Sequence, residues 1–158
     1  MGTARLSAVI LAATLAACGG SSTSGPATNF SATLSGANES PATTSTATGT
    51  ATYSLSGTTL TYTVTYTGLS GPPTGAHIHV AATGFNGKII VPFATVPSTT
   101  AGTFSGTITA ADITPQTTPI AVATFDDLLV QLRAGNTYTN IHTTANTGGE
   151  IRGQNIGH

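Results

Sequence analysis

The segment TLTYTVTYT, residues 59–67, decides the fold class. Leu60, Tyr62, Val64 and Tyr66 alternate with threonines, so an extended chain carries its apolar side chains on one face and its hydroxyls on the other. This period of two predicts a half-buried antiparallel strand. Further strands are predicted at 30–34, 46–55, around 77–79, and at 88–93, 102–109, 136–144 and 148–156.

One late segment has a helical period instead. In TFDDLLVQLRAGN, residues 124–136, four apolar side chains recur at i, i+3, i+4 and i+7, which predicts one amphipathic helix over about 124–134. Thr124 is the expected N-cap and Gly135 the expected stop. Seven or eight short antiparallel strands with this single helix predict an all-β domain, either a β-sandwich or a Greek-key barrel.

The low content of charged residues and the single cysteine exclude some classes of function and one type of cross-link. Charged residues make up 6% of the 158-residue chain and the net charge is −1, whereas soluble domains usually contain about 25% charged residues. Such a surface excludes nucleic acid as a partner, because phosphate binding needs clustered cations. The single cysteine, Cys18, excludes an intrachain disulfide.

The N-terminal segment has the layout of an export signal. Arg5 precedes the apolar run LSAVILAATLAA, residues 6–17, which is shorter than the about 20 residues of a membrane-spanning helix but suits a signal peptide. The run ends in LAAC and is followed by a Gly/Ser-rich stretch, which resembles the lipobox of bacterial lipoproteins. The resemblance implies that the thiol of Cys18 is acylated and becomes the new N-terminus.

These features predict three parts of the chain. Residues 1–17 are the expected lipoprotein signal peptide, residues 18–28 the lipidated cysteine with a flexible linker, and residues 29–158 the folded domain. The predicted protein is exported and held at the cell envelope by its lipid, at the outer membrane if the cell is Gram-negative.

Polar side chains share faces on three predicted strands. Because residues two apart point to the same side of a strand, His77 and His79 lie on one face. The same rule groups residues on the two last strands: Tyr138, Asn140 and His142 on one, and Glu150, Arg152 and Gln154 on the other. In a chain so poor in charge, this concentration marks the candidate site.

Two interpretations of this site stand side by side. His77 and His79 lie about 6.6–6.8 Å apart along the strand and with His142 could bind copper or zinc, Glu150 being a fourth ligand or a group that fixes a histidine tautomer. Alternatively, the histidines form a structural polar cluster with Asn140, Glu150 and Arg152, in which Glu150 pairs with Arg152 or a histidine and the histidines donate to backbone carbonyls. We favour the structural interpretation at this stage, because an HxH pair by itself is a weak indicator; an organic ligand or a protein surface is a third alternative.

Motifs of known catalytic chemistry are missing from the sequence. No nucleophile elbow, phosphate-binding loop or cysteine–histidine pair is present. Asp112, Asp126 and Asp127 fit helix capping and dipole positions instead of a catalytic pair. The sequence therefore predicts a protein that is not an enzyme.

Four segments together resemble a known family. They are LSGANESP (34–41), the hairpin TATGTATYSL–TLTYTVTYTGLSG (46–71), GAHIHVAATGFNGKIIVPF (75–93) and AGNTYTNIHTTANTGGEIRGQ (134–154), and they resemble the CHRD domain, which is repeated in animal chordin and single in many bacterial secreted proteins. The resemblance covers about residues 29–156 and implies an immunoglobulin-like extracellular domain. With the lipobox, it predicts a lipid-anchored binding or structural module of the envelope whose partner the sequence does not name.

A shorter stretch is similar to a second family. GAHIHVAATGFNG, residues 75–87, is similar to the copper-binding HxH strand and Gly-rich loop of copper–zinc superoxide dismutase. The similarity implies that His77 and His79, with His142 as a third, are copper ligands. The loop lacks the further histidine or aspartate of a zinc site and the disulfide cysteines are missing, so a metal-dependent redox enzyme is the least favoured alternative.

Overall fold

The computed structural model describes residues 1–2 and 25–158. The predicted signal peptide lies outside these residues from position 3 onward, and so does the predicted lipidation site, Cys18. Within the described ranges, no helix combines the length and the apolar character that crossing a bilayer requires.

The described part of the chain is built from nine strands and one α-helix, and the alternation in the sequence explains where the strands form. The strands are β1 (Asn29–Ser35), β2 (Thr48–Ser56), β3 (Thr59–Thr67), β4 (Pro73–Val80), β5 (Lys88–Pro92), β6 (Gly102–Ile108), β7 (Thr137–Thr143), β8 (Ile151–Gln154) and β9 (Ile156–Gly157). The helix is α1 (Phe125–Arg133), and short 3₁₀ turns occupy Gly36–Asn38 and Ala110–Asp112. The prediction of an all-β fold with one short late helix is confirmed.

All strands belong to one antiparallel sheet in the order β5-β4-β7-β8-β1-β2-β3-β6, with β9 paired to β1. The sheet curls into a half-barrel. The curl brings aromatic side chains from its two edges into contact. Phe93, directly after edge strand β5, lies 5.4 Å from Phe104 on the other edge strand β6 and 4.6 Å from Tyr62 on β3, between ring centroids. One curled sheet thus encloses one core.

The alternation of TLTYTVTYT is realised as predicted. Leu60, Tyr62, Val64 and Tyr66 are buried on the concave side of β3, whereas Thr61, Thr63, Thr65 and Thr67 are exposed. Burial of such side chains contributes about 1.5–3 kcal/mol each, so the period of two is the main local source of stability in this strand.

The helix forms where the apolar stripe predicts it. Thr124 and Asp127 make a capping box, in which Thr124 Oγ1 accepts from the Asp127 N–H at 3.1 Å and Asp127 Oδ2 accepts from the Thr124 N–H at 2.9 Å. Gly135 follows with a φ of 68°, which ends the helix in the left-handed region that suits glycine. The stripe of Phe125, Leu128, Leu129 and Leu132 is buried.

The last predicted strand is shorter than its sequence pattern. Strand β8 begins at Ile151 instead of 148, because Gly149 has a φ of 130° and the chain is still turning there. Glu150 still donates its backbone N–H to Ile141 of β7 at 2.7 Å, so its side chain is fixed although it lies outside the strand.

Candidate metal centre

The pairing of β4 with β7 brings the predicted site residues together. His77 lies opposite Asn140, His79 opposite Tyr138, and His142 opposite Gly75. On the neighbouring strand β8, Arg152 lies opposite Asn140. The alternate residues of these strands, among them Ile78 and Ile141, are fully buried in the core, so the polar side chains occupy the outer face of the sheet.

Three histidine rings converge on this face. The ring centroids of His77 and His142 are 4.9 Å apart, those of His77 and His79 5.5 Å, and those of His79 and His142 6.0 Å. One ring nitrogen from each histidine lies within 4.8 Å of the other two. Tetrahedral ligation with bonds of about 2.1 Å needs nitrogens about 3.4 Å apart, so ion binding requires the rings to turn inward by about 1 Å.

Backbone carbonyls fix the tautomers of two of these rings. His79 Nδ1 donates to the Gly87 carbonyl at 3.0 Å, and His142 Nδ1 donates to the Thr147 carbonyl at 2.9 Å. Each ring then carries a lone pair on Nε2. This is the arrangement that orients metal-binding histidines in proteins.

The remaining ring nitrogens lack ordinary hydrogen-bond partners. His79 Nε2 and His77 Nδ1 are buried and, among the described residues, no group donates to them or accepts from them. His142 Nε2 lies 3.1 Å from Asn140 Oδ1; since both atoms are acceptors when Nδ1 carries the proton, the contact is satisfied only if the amide turns by 180° or a cation binds. The site thus presents lone pairs that no donor satisfies.

Burial keeps these rings uncharged. Loss of solvent lowers the pKa of both His77 and His79 to about 4, and the neighbouring His142 ring adds to the effect on each. Burial also lowers the pKa of His142. At neutral pH the three imidazoles are therefore neutral, which is the form that binds metal ions.

Tyr138 and Arg152 form a stack that orients the His79 ring. The His79 ring stacks on the Tyr138 ring at 4.8 Å with an interplanar angle of 7°, and the Arg152 guanidinium carbon lies 3.4 Å from the Tyr138 centroid. Both groups cannot occupy the same face of the tyrosine, so Tyr138 lies between them. This cation–π contact orders Tyr138 and, through it, His79.

Arg152 also fixes the loop that follows β4. Its side chain is 1% exposed and donates to Asn86 Oδ1 at 3.1 Å and to the Phe85 carbonyl at 2.8 Å. The next residue, Gly87, donates its N–H to the Tyr138 hydroxyl at 3.2 Å and accepts from His79. A Cβ at Gly87 would collide with the Val80 carbonyl oxygen, so only glycine can support His79 in this way.

Glu150 has neither of the environments that the sequence pattern predicted for it. Its carboxylate is completely buried and accepts from the Ser45 hydroxyl at 2.8 Å, the Ser70 N–H at 2.8 Å, the Ser70 hydroxyl at 2.5 Å and the Thr143 hydroxyl at 2.6 Å. It pairs neither with Arg152 nor with a histidine. Burial alone raises the pKa of Glu150, but these hydrogen bonds outweigh it and lower the pKa to about 2.

The three rings and Asn140 are predictable from the sequence pattern, whereas the roles of Tyr138 and Gly87 are not. Strand parity had already placed Tyr138 on the histidine face, so a signal for it existed. The role of Gly87 depends on the path of the loop across the sheet, for which the sequence carries no local signal.

Gly75 offers a test of the site that leaves every ligand in place. A Cβ there would lie 3.2 Å from Cε1 and Nε2 of His77, so Gly75→Ala should push the ring away and, under the metal-binding interpretation of the site, weaken binding by about tenfold, as measured by titration. Gly71→Ala is the matched control, because no atom lies within 4 Å of a Cβ at that position. Equal affinities for the two variants would contradict this geometry.

Comparison with known proteins assigns the domain to a family. The model of the family described as CHRD domain matches residues 30–155. No curated protein matches the chain, and no solved structure matches it.

Proposed function

Since the chain belongs to the CHRD-domain family, we propose that it is an exported, lipid-anchored CHRD-domain protein of the cell envelope whose domain binds one transition metal ion. The ligands are His77, His79 and His142, and the ion is copper or zinc. The anchor is a lipid on Cys18.

One observation carries the metal-binding proposal. His77 Nδ1 and His79 Nε2 are buried beside each other's rings and lack hydrogen-bond partners among the described residues. A purely structural polar cluster satisfies its buried groups, since an unsatisfied buried acceptor costs about 1–3 kcal/mol. A bound cation would accept the lone pair of His79 Nε2, and that of His77 Nδ1 in the tautomer with the proton on Nε2, which supports metal binding over the structural cluster.

The chemistry of the donors limits the ion. Three neutral imidazoles suit copper and zinc, and the order of affinities for divalent ions places copper above zinc. Backbone carbonyls hold Nδ1–H of His79 and His142, so these two rings would bind through Nε2.

We propose a binding role without catalysis. The two charged groups that the sequence placed with the histidines have other contacts: Glu150 accepts four hydrogen bonds away from the rings, and Arg152 holds the loop and stacks on Tyr138. Neither is available as an acid or base beside the three rings.

The test of the proposal is titration of the metal-free purified protein with copper and with zinc, followed by calorimetry and thermal melting. We expect one ion per chain, and stabilisation by about 2.7 kcal/mol when the free ion is at 100 times its Kd. If neither ion saturates a single site, the proposed function is wrong.

The anchor has its own test. Cys18→Ala removes the thiol that would be acylated, so we expect the protein to move from the membrane fraction to the soluble fraction, as followed by fractionation and immunoblotting. Ser21→Ala, in the same linker, should leave the protein in the membrane fraction. Persistence of the Cys18→Ala protein in the membrane fraction would refute the lipid anchor.

A further inference from the structure

The geometry and charge of the histidine site point to selectivity for monovalent copper, Cu(I), over divalent ions. This inference rests on the proposed metal-binding function and adds the oxidation state of the ion. It follows from three features of the site: the charge around it, its burial and the number of its donors.

The first feature is the charge of the surroundings. No cysteine, aspartate or glutamate among the described residues joins the three histidines, so the ligand set contributes no negative charge. The buried cation Arg152 lies on the opposite side of the Tyr138 ring from His79, because both groups stack on that ring. A divalent ion is repelled by this cation twice as strongly as a monovalent one.

Two other charged groups lie near this face. Glu39 is 8% exposed, and burial raises its pKa to about 7 although the charge of Arg152 acts to lower this pKa, so Glu39 offsets the cation only in part at neutral pH. Lys88, on β5 opposite Val80, is exposed and adds a second, solvent-screened cation. The electrostatic balance around the rings therefore disfavours a second positive charge on the ion.

The second feature is burial. His77 Nδ1 and His79 Nε2 are shielded from solvent, so an ion that binds them loses much of its hydration. The cost of removing an ion from water rises with the square of its charge, and buried charges need a nearby counter-charge to offset it. With neutral ligands, this cost falls most heavily on Cu²⁺ and Zn²⁺.

The third feature is the number of donors. Zinc takes four ligands in most protein sites and keeps a water where the protein supplies three, whereas Cu(I) is also stable with three ligands and no water. The further donor beside these rings is the Asn140 amide, 3.1 Å from His142 Nε2. Its oxygen is neutral, so coordination by Asn140 would add a ligand without adding the negative charge that a divalent ion requires.

The experiment compares two ions on the purified full chain. Cu(I) is supplied anaerobically in competition with bicinchoninate, and Zn²⁺ in competition with a chromophoric zinc chelator. We expect Cu(I) to bind more tightly than Zn²⁺; the repulsion of one extra unit charge, taken at about 10 Å and an effective dielectric constant of about 20, corresponds to about 17-fold. His77→Ala should weaken both ions.

The outcomes separate this inference from the proposed function. If Zn²⁺ binds as tightly as Cu(I) or more tightly, and His77→Ala weakens it, the selectivity is wrong and the metal site stands. If each ion has the same affinity for the wild-type protein and for His77→Ala, the metal site itself is wrong.

A charge variant tests the cause of the selectivity. Asn140→Asp is nearly isosteric and places a carboxylate beside His142, so it should lower the ratio of Cu(I) to Zn²⁺ affinity at least about tenfold. Asn29→Asp, the same change at an exposed position on β1, is the control. An unchanged ratio in a folded Asn140→Asp protein would overturn the electrostatic argument.

A second variant keeps the test decisive if Asn140→Asp does not fold, which its melting curve would reveal. Glu39→Gln removes the partial negative charge beside Arg152 and should raise the ratio of Cu(I) to Zn²⁺ affinity. An unchanged or lower ratio would overturn the inference.

Discussion

Replacing His77 or His142 with alanine should weaken copper binding by at least about 100-fold, because each ring is one of only three proposed ligands and even the groups behind a ligand are worth 10- to 100-fold. The metal-free His77→Ala protein should keep nearly the stability of the wild type, since the variant loses a ring whose buried Nδ1 has no partner. A structural cluster would give the opposite pattern, with a loss of stability and no metal dependence.

The measurement is competitive titration of both variants, with thermal melting of the metal-free proteins. His158→Ala is the matched control: its ring contacts Ser31 Oγ at 2.7 Å and is not part of the three-histidine group. Affinity should also fall less steeply from pH 7 to about pH 5 than it would for ordinary imidazoles, because burial lowers the pKa values of His77 and His79 to about 4 and lowers the pKa of His142. Wild-type affinity in either site variant would refute the assignment of these ligands.

Glu150→Gln should lower the free energy of unfolding at pH 7 by about 3 kcal/mol or more, since it replaces a buried acceptor of four hydrogen bonds with an amide that brings its own donors against them. The loss should shrink in acid. The pKa of Glu150 is about 2 in the folded protein against an ordinary value of 4.5, so its stabilisation is present above about pH 4.5 and disappears as the pH falls toward 2.

Chemical denaturation of both proteins across pH 2–8 measures this difference. Glu39→Gln is the control, for which the change in stability with pH should have the opposite sign, because burial raises the pKa of Glu39 from 4.5 to about 7. Ionised Glu39 is disfavoured in the folded state, so its cost appears as the pH rises through this interval. Glu39→Gln should therefore match the wild type near pH 4 and be more stable above pH 7. A loss for Glu150→Gln that does not depend on pH would show that the carboxylate charge is not the stabilising feature.

Several features of the site could be predicted from the sequence because they depend on neighbouring residues alone. His77 and His79 share one face of β4, and Tyr138, Asn140 and His142 share one face of β7, because a strand alternates its side chains whatever it pairs with. The partners of Glu150 could not be predicted in this way. Ser45 and Ser70 are 105 and 80 residues away from it, and they come from loops whose positions depend on the whole sheet.

The sequence by itself determined most of the strands, the capped helix, the family and the polar faces of β4 and β7, since the period of two and the capping box act through local backbone geometry. The tertiary structure decided that these faces meet. Only the register of β4 against β7 places His142 across from Gly75 and beside His77, and only the loop after β4 brings the Gly87 carbonyl to His79. Register and loop path depend on contacts between distant residues, because they follow from how the curled sheet buries its core as a whole.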